Sequence, residues 1–118
     1  TTDTEYLQWI LDQGCFIGMD RYPAHGVSPH MRTVTLKKLM DMGYADQLCP
    51  SHDCICIHIH KELPDGTIPE EHQFQKGNPD QFLYMHRHVI PELKEMGAND
   101  ADIENLFVNN PRRFLFGE

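Results

Sequence analysis

The fold is decided by residues 14–22, which read GCFIGMDRY. A glycine that can end a helix is followed by a short run that is apolar on both faces, and the run stops at Asp20. Such a run is typical of a parallel strand that is buried on both faces. Residues 47–53, which read QLCPSHD, repeat this pattern after Gly43 and stop at Asp53. Two helix–glycine–strand–acid units therefore predict an α/β protein with two parallel strands and flanking helices.

Helices are predicted on either side of both strands. Thr2 and the glutamate three residues later have the spacing of a capping box, so the first helix is expected to begin at Thr2. Ser28 followed by Pro29 predicts an N-cap and the first residue of a second helix. The last third of the chain has helical periodicity, and Pro91 is expected to kink or divide its longest helix.

Composition limits the class of protein. The chain has 118 residues, so residues 1–118 are expected to form one segment, and the 40% hydrophobic content argues against disorder. The net charge of −8 argues against a nucleic-acid partner, and no apolar run is long enough for a membrane span. Two of the four cysteines, Cys15 and Cys49, lie in the apolar runs and are expected to be buried. This cysteine usage favours reduced thiols and a cytoplasmic setting.

The strand ends carry the two strongest candidates for a functional site, because chemistry in parallel α/β folds sits at the carboxyl ends of strands. Asp53 follows the second strand and is placed to bind a metal or to move a proton, although a cap or a salt bridge is the alternative. Arg21 and Tyr22 follow the first strand. Arg21 offers a planar fork of donors to an anionic or carbonyl oxygen, and Tyr22 offers a ring with a hydroxyl tip. The alternative is that Arg21 pairs with Asp20 to brace the loop.

A third candidate begins the long irregular stretch at residues 54–79. If residues 54–60 are extended, Cys54, Cys56, His58 and His60 share one face, and two thiols with two imidazoles are a conceivable set of zinc ligands. Ligands from a single strand fan out along it, and the usual spacing of zinc ligands is absent. An amphipathic strand whose isoleucine face packs inward is the alternative.

Four motifs in order resemble the C-terminal third of the phosphotriesterase family of the amidohydrolase superfamily. They are GCFIGMDRY at residues 14–22, SHD at 51–53, VIPEL at 89–93 with Gly97, and NNPRRF at 109–114. The resemblance implies the C-terminal part of a (β/α)8, or TIM, barrel, with residues 15–19 on strand seven and residues 48–51 on strand eight. It also implies a hydrolase of lactones, phosphotriesters or related esters, with two divalent metal ions, zinc above all, and a homodimer.

The resemblance also assigns roles to the strand-end residues. Asp53 matches an aspartate that ligates the more buried metal and accepts the proton of the attacking hydroxide. Arg21 matches the strand-seven arginine of the lactonase-like members, which lines the substrate pocket, and we expect Tyr22 to help shape that pocket. The family's other ligands lie on strands one, four, five and six, and a whole barrel needs about 200–250 residues. This chain alone is therefore expected to be incomplete and inactive, or to survive as a non-catalytic assembly module that binds zinc through the Cys/His stretch.

Overall fold

The computed structural model describes residues 1–23, 26–54, 64–67 and 78–117. Helices alternate with two short strands, and single 3-10 or π-type turns extend several of the helices. The α-helices and strands are α1 (Thr4–Leu11), β1 (Ile17–Met19), α2 (Pro29–Leu39), β2 (Leu48–Pro50), α3 (Ile90–Glu95), α4 (Asp100–Glu104) and α5 (Asn110–Phe116). None of the helices in these ranges is long and apolar enough to cross a bilayer.

The two strands pair in parallel, as the sequence predicts. Ile17 lies opposite Leu48 and Met19 lies opposite Pro50. The strands are shorter than expected, because pairing begins only at Ile17. Cys15 lies between the turn after α1 and the paired segment and is exposed, so the prediction that it is buried was wrong.

Pro50 occupies the last position of β2, where a proline removes one backbone donor. The N–H of the next residue, Ser51, donates to the Met19 carbonyl at 3.0 Å and so points toward β1. Because successive residues of a strand point their N–H groups to opposite sides, the nitrogen of Pro50 points away from β1. The proline therefore costs this strand pair no hydrogen bond.

The helix starts follow local capping chemistry. Asp3 caps α1, since its carboxylate accepts from the Tyr6 N–H at 3.1 Å. The predicted capping box on Thr2 was therefore wrong by one residue, because a carboxylate next to it caps the helix and adds a favourable charge at the N-terminus. Ser28 caps α2 and Pro29 is its first residue, which confirms that prediction.

Two prolines divide the helical C-terminal region. Pro91 lies at the start of α3 and Pro111 at the start of α5, and each follows a π-type turn of five residues. A proline ring clashes with the carbonyl four residues earlier in an α-helix, and a wider turn relieves that contact. The backbone N–H of the residue before each proline accordingly donates to the carbonyl five residues earlier. For Pro91 this bond runs from the Ile90 N–H to the Met85 carbonyl. The predicted division at Pro91 is confirmed.

The core lies between the strands and the inner faces of the helices. It is built mainly from fully buried leucines contributed by α1, α2, β2 and the C-terminal helices: Leu11, Leu36, Leu39, Leu48, Leu93 and Leu106. Asn110 is also fully buried, and its side-chain amide donates to the Ala45 and Leu48 carbonyls at 2.6 and 2.7 Å. This amide fastens α5 to the start of β2 and to the turn before it.

Candidate active site

The parallel register brings the residues after β1 next to those after β2. Arg21 Nε lies 3.8 Å from Asp53 Oδ2. The two side chains are 68% and 57% exposed, so the pair faces solvent at the carboxyl edge of the sheet. The structure thus joins two of the residues that the sequence singled out. Among the described residues Arg21 pairs with Asp53, not with Asp20, which argues against the bracing pair considered above.

Both members of this pair have a left-handed backbone. The φ angle is 63° at Arg21 and 51° at Asp53. A residue with a Cβ atom pays roughly 1–2 kcal/mol for that conformation. Strain of this kind persists only where neighbouring contacts hold it, and it is common at functional sites. At both positions the backbone turns sharply just after its strand. The two side chains then lie next to one another.

The backbone after β1 is held by a residue that the sequence did not single out. Arg32, on α2, donates from Nη1 to the carbonyls of Asp20 and Arg21, the latter at 2.9 Å. Its Nε donates to the Val27 carbonyl at 3.1 Å. A cleft of about 390 Å³ runs along β1 beside these residues, with Asp20, Arg21 and Arg32 among its lining. Arg32 on α2 therefore holds the loop between β1 and α2 in place.

Tyr22 does not join the pair at the strand ends. Its side chain is 1% exposed and packs near the Tyr84 ring, with a centroid separation of 6.4 Å, while the Arg32 guanidinium lies over its face. The hydroxyl has no hydrogen-bond partner in the described part of the chain. Burial raises the pKa of Tyr22 to about 12. Direct contact of Tyr22 with a substrate stays a prediction, and its burial does not favour it.

The residues around Asp53 are held by a second local contact. His52 Nδ1 accepts the Cys54 N–H at 3.0 Å, so that the side chain spans the backbone of Asp53. The His52 and Phe82 rings are nearly perpendicular, with 5.2 Å between their centroids. Phe82 lies beyond the long irregular stretch, so the chain returns to the strand end after that stretch.

The return of the chain is anchored by Asp80. This carboxylate accepts from His88 Nε2 at 2.5 Å and from Arg87. The hydrogen bonds from His88 and from Arg87 lower the pKa of Asp80. The His88 ring in turn lies 4.5 Å from the Tyr84 ring, measured between centroids. These contacts fasten Asp80 to the π-type turn that precedes α3.

The donor set at the strand ends fits one part of a metal site. Asp53 presents an exposed carboxylate, which is a suitable ligand for a divalent cation. Within the described ranges no group of three or more His, Cys, Asp or Glu side chains could hold a metal ion. A metal at Asp53 would accordingly need further ligands. In the proposed Cys/His zinc set, Cys54 is described, whereas Cys56, His58 and His60 lie outside the described residues.

Two parallel strands flanked by helices, with an arginine and an aspartate paired at their carboxyl ends, are typical of an α/β protein with a parallel sheet. The sequence profile of the Phosphotriesterase family matches residues 1–115, and the chain belongs to that family. The match confirms the resemblance inferred from the four motifs. The fold class is confirmed as well, because the solved structures that the chain resembles are phosphotriesterase barrels of which it covers about a third.

Curated relatives show the same extent of match. The chain is 32% identical over 118 residues to a "Phosphotriesterase homology protein" of Mycobacterium tuberculosis, covering 98% of the chain and 33% of that protein. It is 31% identical over 116 residues to an "Aryldialkylphosphatase" of Saccharolobus solfataricus, covering 98% and 35%. The solved phosphotriesterase from M. tuberculosis matches with a TM-score of 0.79 at 31% identity, over 98% of the chain and 34% of that structure. The chain thus spans about a third of the length of these relatives.

Proposed function

We propose that this chain is the strand-seven and strand-eight segment of a metal-dependent hydrolase of lactones, phosphotriesters or related esters. The observation that carries the proposal is the Arg21–Asp53 pair, 3.8 Å apart at the ends of adjacent parallel strands, in a chain of the Phosphotriesterase family. A carboxylate and a guanidinium at one strand edge supply an oxygen ligand or proton acceptor and a fixed positive charge.

Asp53 has two roles in this proposal. Its carboxylate holds one of two divalent ions, for which we propose zinc, and it takes up the proton of the attacking water. When bound, the ions supply Lewis acidity, which lowers the pKa of water and polarises the ester carbonyl or phosphoryl bond. The sharp turn at Asp53 and the His52 contact across it order the backbone at the strand edge, from which the carboxylate projects.

Arg21 binds the reacting oxygen of the substrate. Its distance of 3.8 Å from Asp53 is too long for a hydrogen bond, so the pairing leaves guanidinium donors for another acceptor. A lactone carbonyl oxygen gains negative charge on attack, and a nearby guanidinium stabilises that charge. This supports a lactone as the substrate, as in the lactonase-like members of the family. The chain spans about a third of the length of its relatives. The same proposal therefore includes the remaining metal ligands of the complete enzyme, its homodimerisation and its cytoplasmic location.

The test uses the complete enzyme with Asp53→Ala and Asp53→Asn variants. We expect both to lose bound metal and to lower kcat by orders of magnitude while the protein stays folded. The matched control is Asp41→Asn, which removes an exposed carboxylate whose partner is Lys37 on the same helical segment. Metal content by elemental analysis and kcat on one lactone and one phosphotriester are the readouts. Near-normal kcat with both metals retained in Asp53→Ala would refute the role, and zinc that depends on Cys56 and His58 instead would favour the assembly module.

A further inference from the structure

Among the described residues, Arg32 donates to three backbone carbonyls, and these three acceptors lie in the loop after β1. Nη1 reaches the carbonyls of Asp20 and Arg21, and Nε reaches that of Val27. The first two carbonyls belong to the residues that end the strand and begin the left-handed turn. The third lies on the far side of the loop, just before α2. A single guanidinium therefore joins both ends of this loop.

The position of Arg32 is not one that helix stability favours. Arg32 is the fourth residue of α2, whose first turn contains no acidic residue. The N-terminal end of a helix carries partial positive charge, so a cation there is unfavourable. The loop carbonyls compensate for this, and only a planar group with several fixed donors can reach the adjacent carbonyls and Val27 together. The guanidinium also lies 5.9 Å from the centroid of the Tyr22 ring, which limits its movement.

We propose that Arg32 is a positioning residue for the strand-end site, and that it fixes the backbone of Arg21 so that the Arg21 side chain faces Asp53. The expected loss of activity rests on the proposed function. The placement of Arg21 by Arg32 rests on the hydrogen bonds alone. Arg32 acts through Arg21 and touches no reacting group. Its removal releases the left-handed turn at Arg21, and the guanidinium of Arg21 moves away from Asp53.

The experiment is a double-mutant cycle in the complete enzyme, with Arg32→Met, Arg21→Ala and the pair. We expect Arg32→Met to lower kcat/KM for a lactone by up to about five- to tenfold, no more than the loss on removing Arg21 itself, because Arg32 acts through Arg21. In the Arg21→Ala background the same change is expected to cost less than about twofold, because residues that act as one unit are not additive. Lys37→Met, which removes a cation from the same helix, is the matched control and should leave kcat/KM unchanged.

Two further measurements keep the inference independent of activity and of folding. Crystal structures of the parent and of Arg32→Met compare the position of Arg21, which we expect to leave its left-handed conformation. Arg32→Lys retains the stem and the charge and serves if Arg32→Met does not fold; it should show a smaller loss with the same dependence on Arg21. Equal losses in both backgrounds, or an unmoved Arg21, would overturn the proposal. A parent enzyme inactive on both ester classes would instead refute the proposed function, and the crystal structures would still decide the role of Arg32.

Discussion

Replacing Arg21 by histidine or alanine in the complete enzyme is expected to lower lactonase activity more than phosphotriesterase activity. The structure gives the scale of the effect. Two unit charges 3.8 Å apart interact by about 1 kcal/mol in water and about 4 kcal/mol at an intermediate dielectric. Since Arg21 and Asp53 are both more than half exposed, the lower value applies. A guanidinium at a similar distance from a developing oxyanion is then worth roughly five- to tenfold in rate.

The assay measures kcat/KM of the Arg21 variants on one lactone and one phosphotriester, together with a melting curve. We expect a loss of about five- to tenfold on the lactone and less than about threefold on the triester, whose phosphoryl oxygen depends more on the metal ions. Lys94→Ala is the control, because it removes an exposed cation that pairs with Asp100 far along the chain. Equal losses on both substrates with a lowered Tm would show that Arg21 only braces the loop, and the preference for lactones would lose its support.

Three further predictions concern stability. Asn110→Ala should lower the free energy of unfolding by about 2–4 kcal/mol in denaturant titration, because the buried Leu48 carbonyl and the partly buried Ala45 carbonyl lose this donor; a loss under about 1 kcal/mol would contradict this. The pKa of Asp80 is lowered by His88 and Arg87, so the stability it contributes is complete above its unfolded pKa of about 4 and is lost as pH falls through the lower folded pKa. Asp80→Asn should therefore flatten the acid limb of a stability–pH curve, and an unchanged limb would argue against the anchor. Tyr22→Phe removes a buried hydroxyl without a described partner and should leave Tm unchanged or raise it, whereas a clear fall in Tm would show that the hydroxyl is bonded.

Local patterns predicted what local physics controls. The two apolar runs that stop at acids specify the parallel strand pair, and the glycine and proline positions specify where helices end or divide. The capping error at Thr2 arose because Asp3 offers a competing cap one residue away. Cys15 is apolar in character, yet it lies before the paired segment, and a short run does not reveal where pairing begins.

The candidate site was predictable only in part. Arg21 and Asp53 meet because both follow strands in one register, and the sequence contains that information. In the described part of the chain, Arg32 donates to backbone carbonyls five, eleven and twelve residues away, and no side-chain pattern marks a backbone acceptor. The burial of Tyr22 depends on packing against Tyr84, which lies far along the chain, so spacing within the loop could not predict it.

The orientation of Pro50 bears on self-association. In the described sheet β2 pairs with β1 along one edge. On the opposite edge of β2, the backbone N–H groups that point away from β1 would come from the even-numbered residues. Leu48 supplies one such N–H, but Pro50 supplies none. A strand that adds to this edge is therefore left with one carbonyl unmatched, which disfavours indiscriminate strand addition and the growth of aggregates from exposed sheet edges. Pro50 thus makes this edge selective for a neighbouring strand that needs no backbone N–H from residue 50.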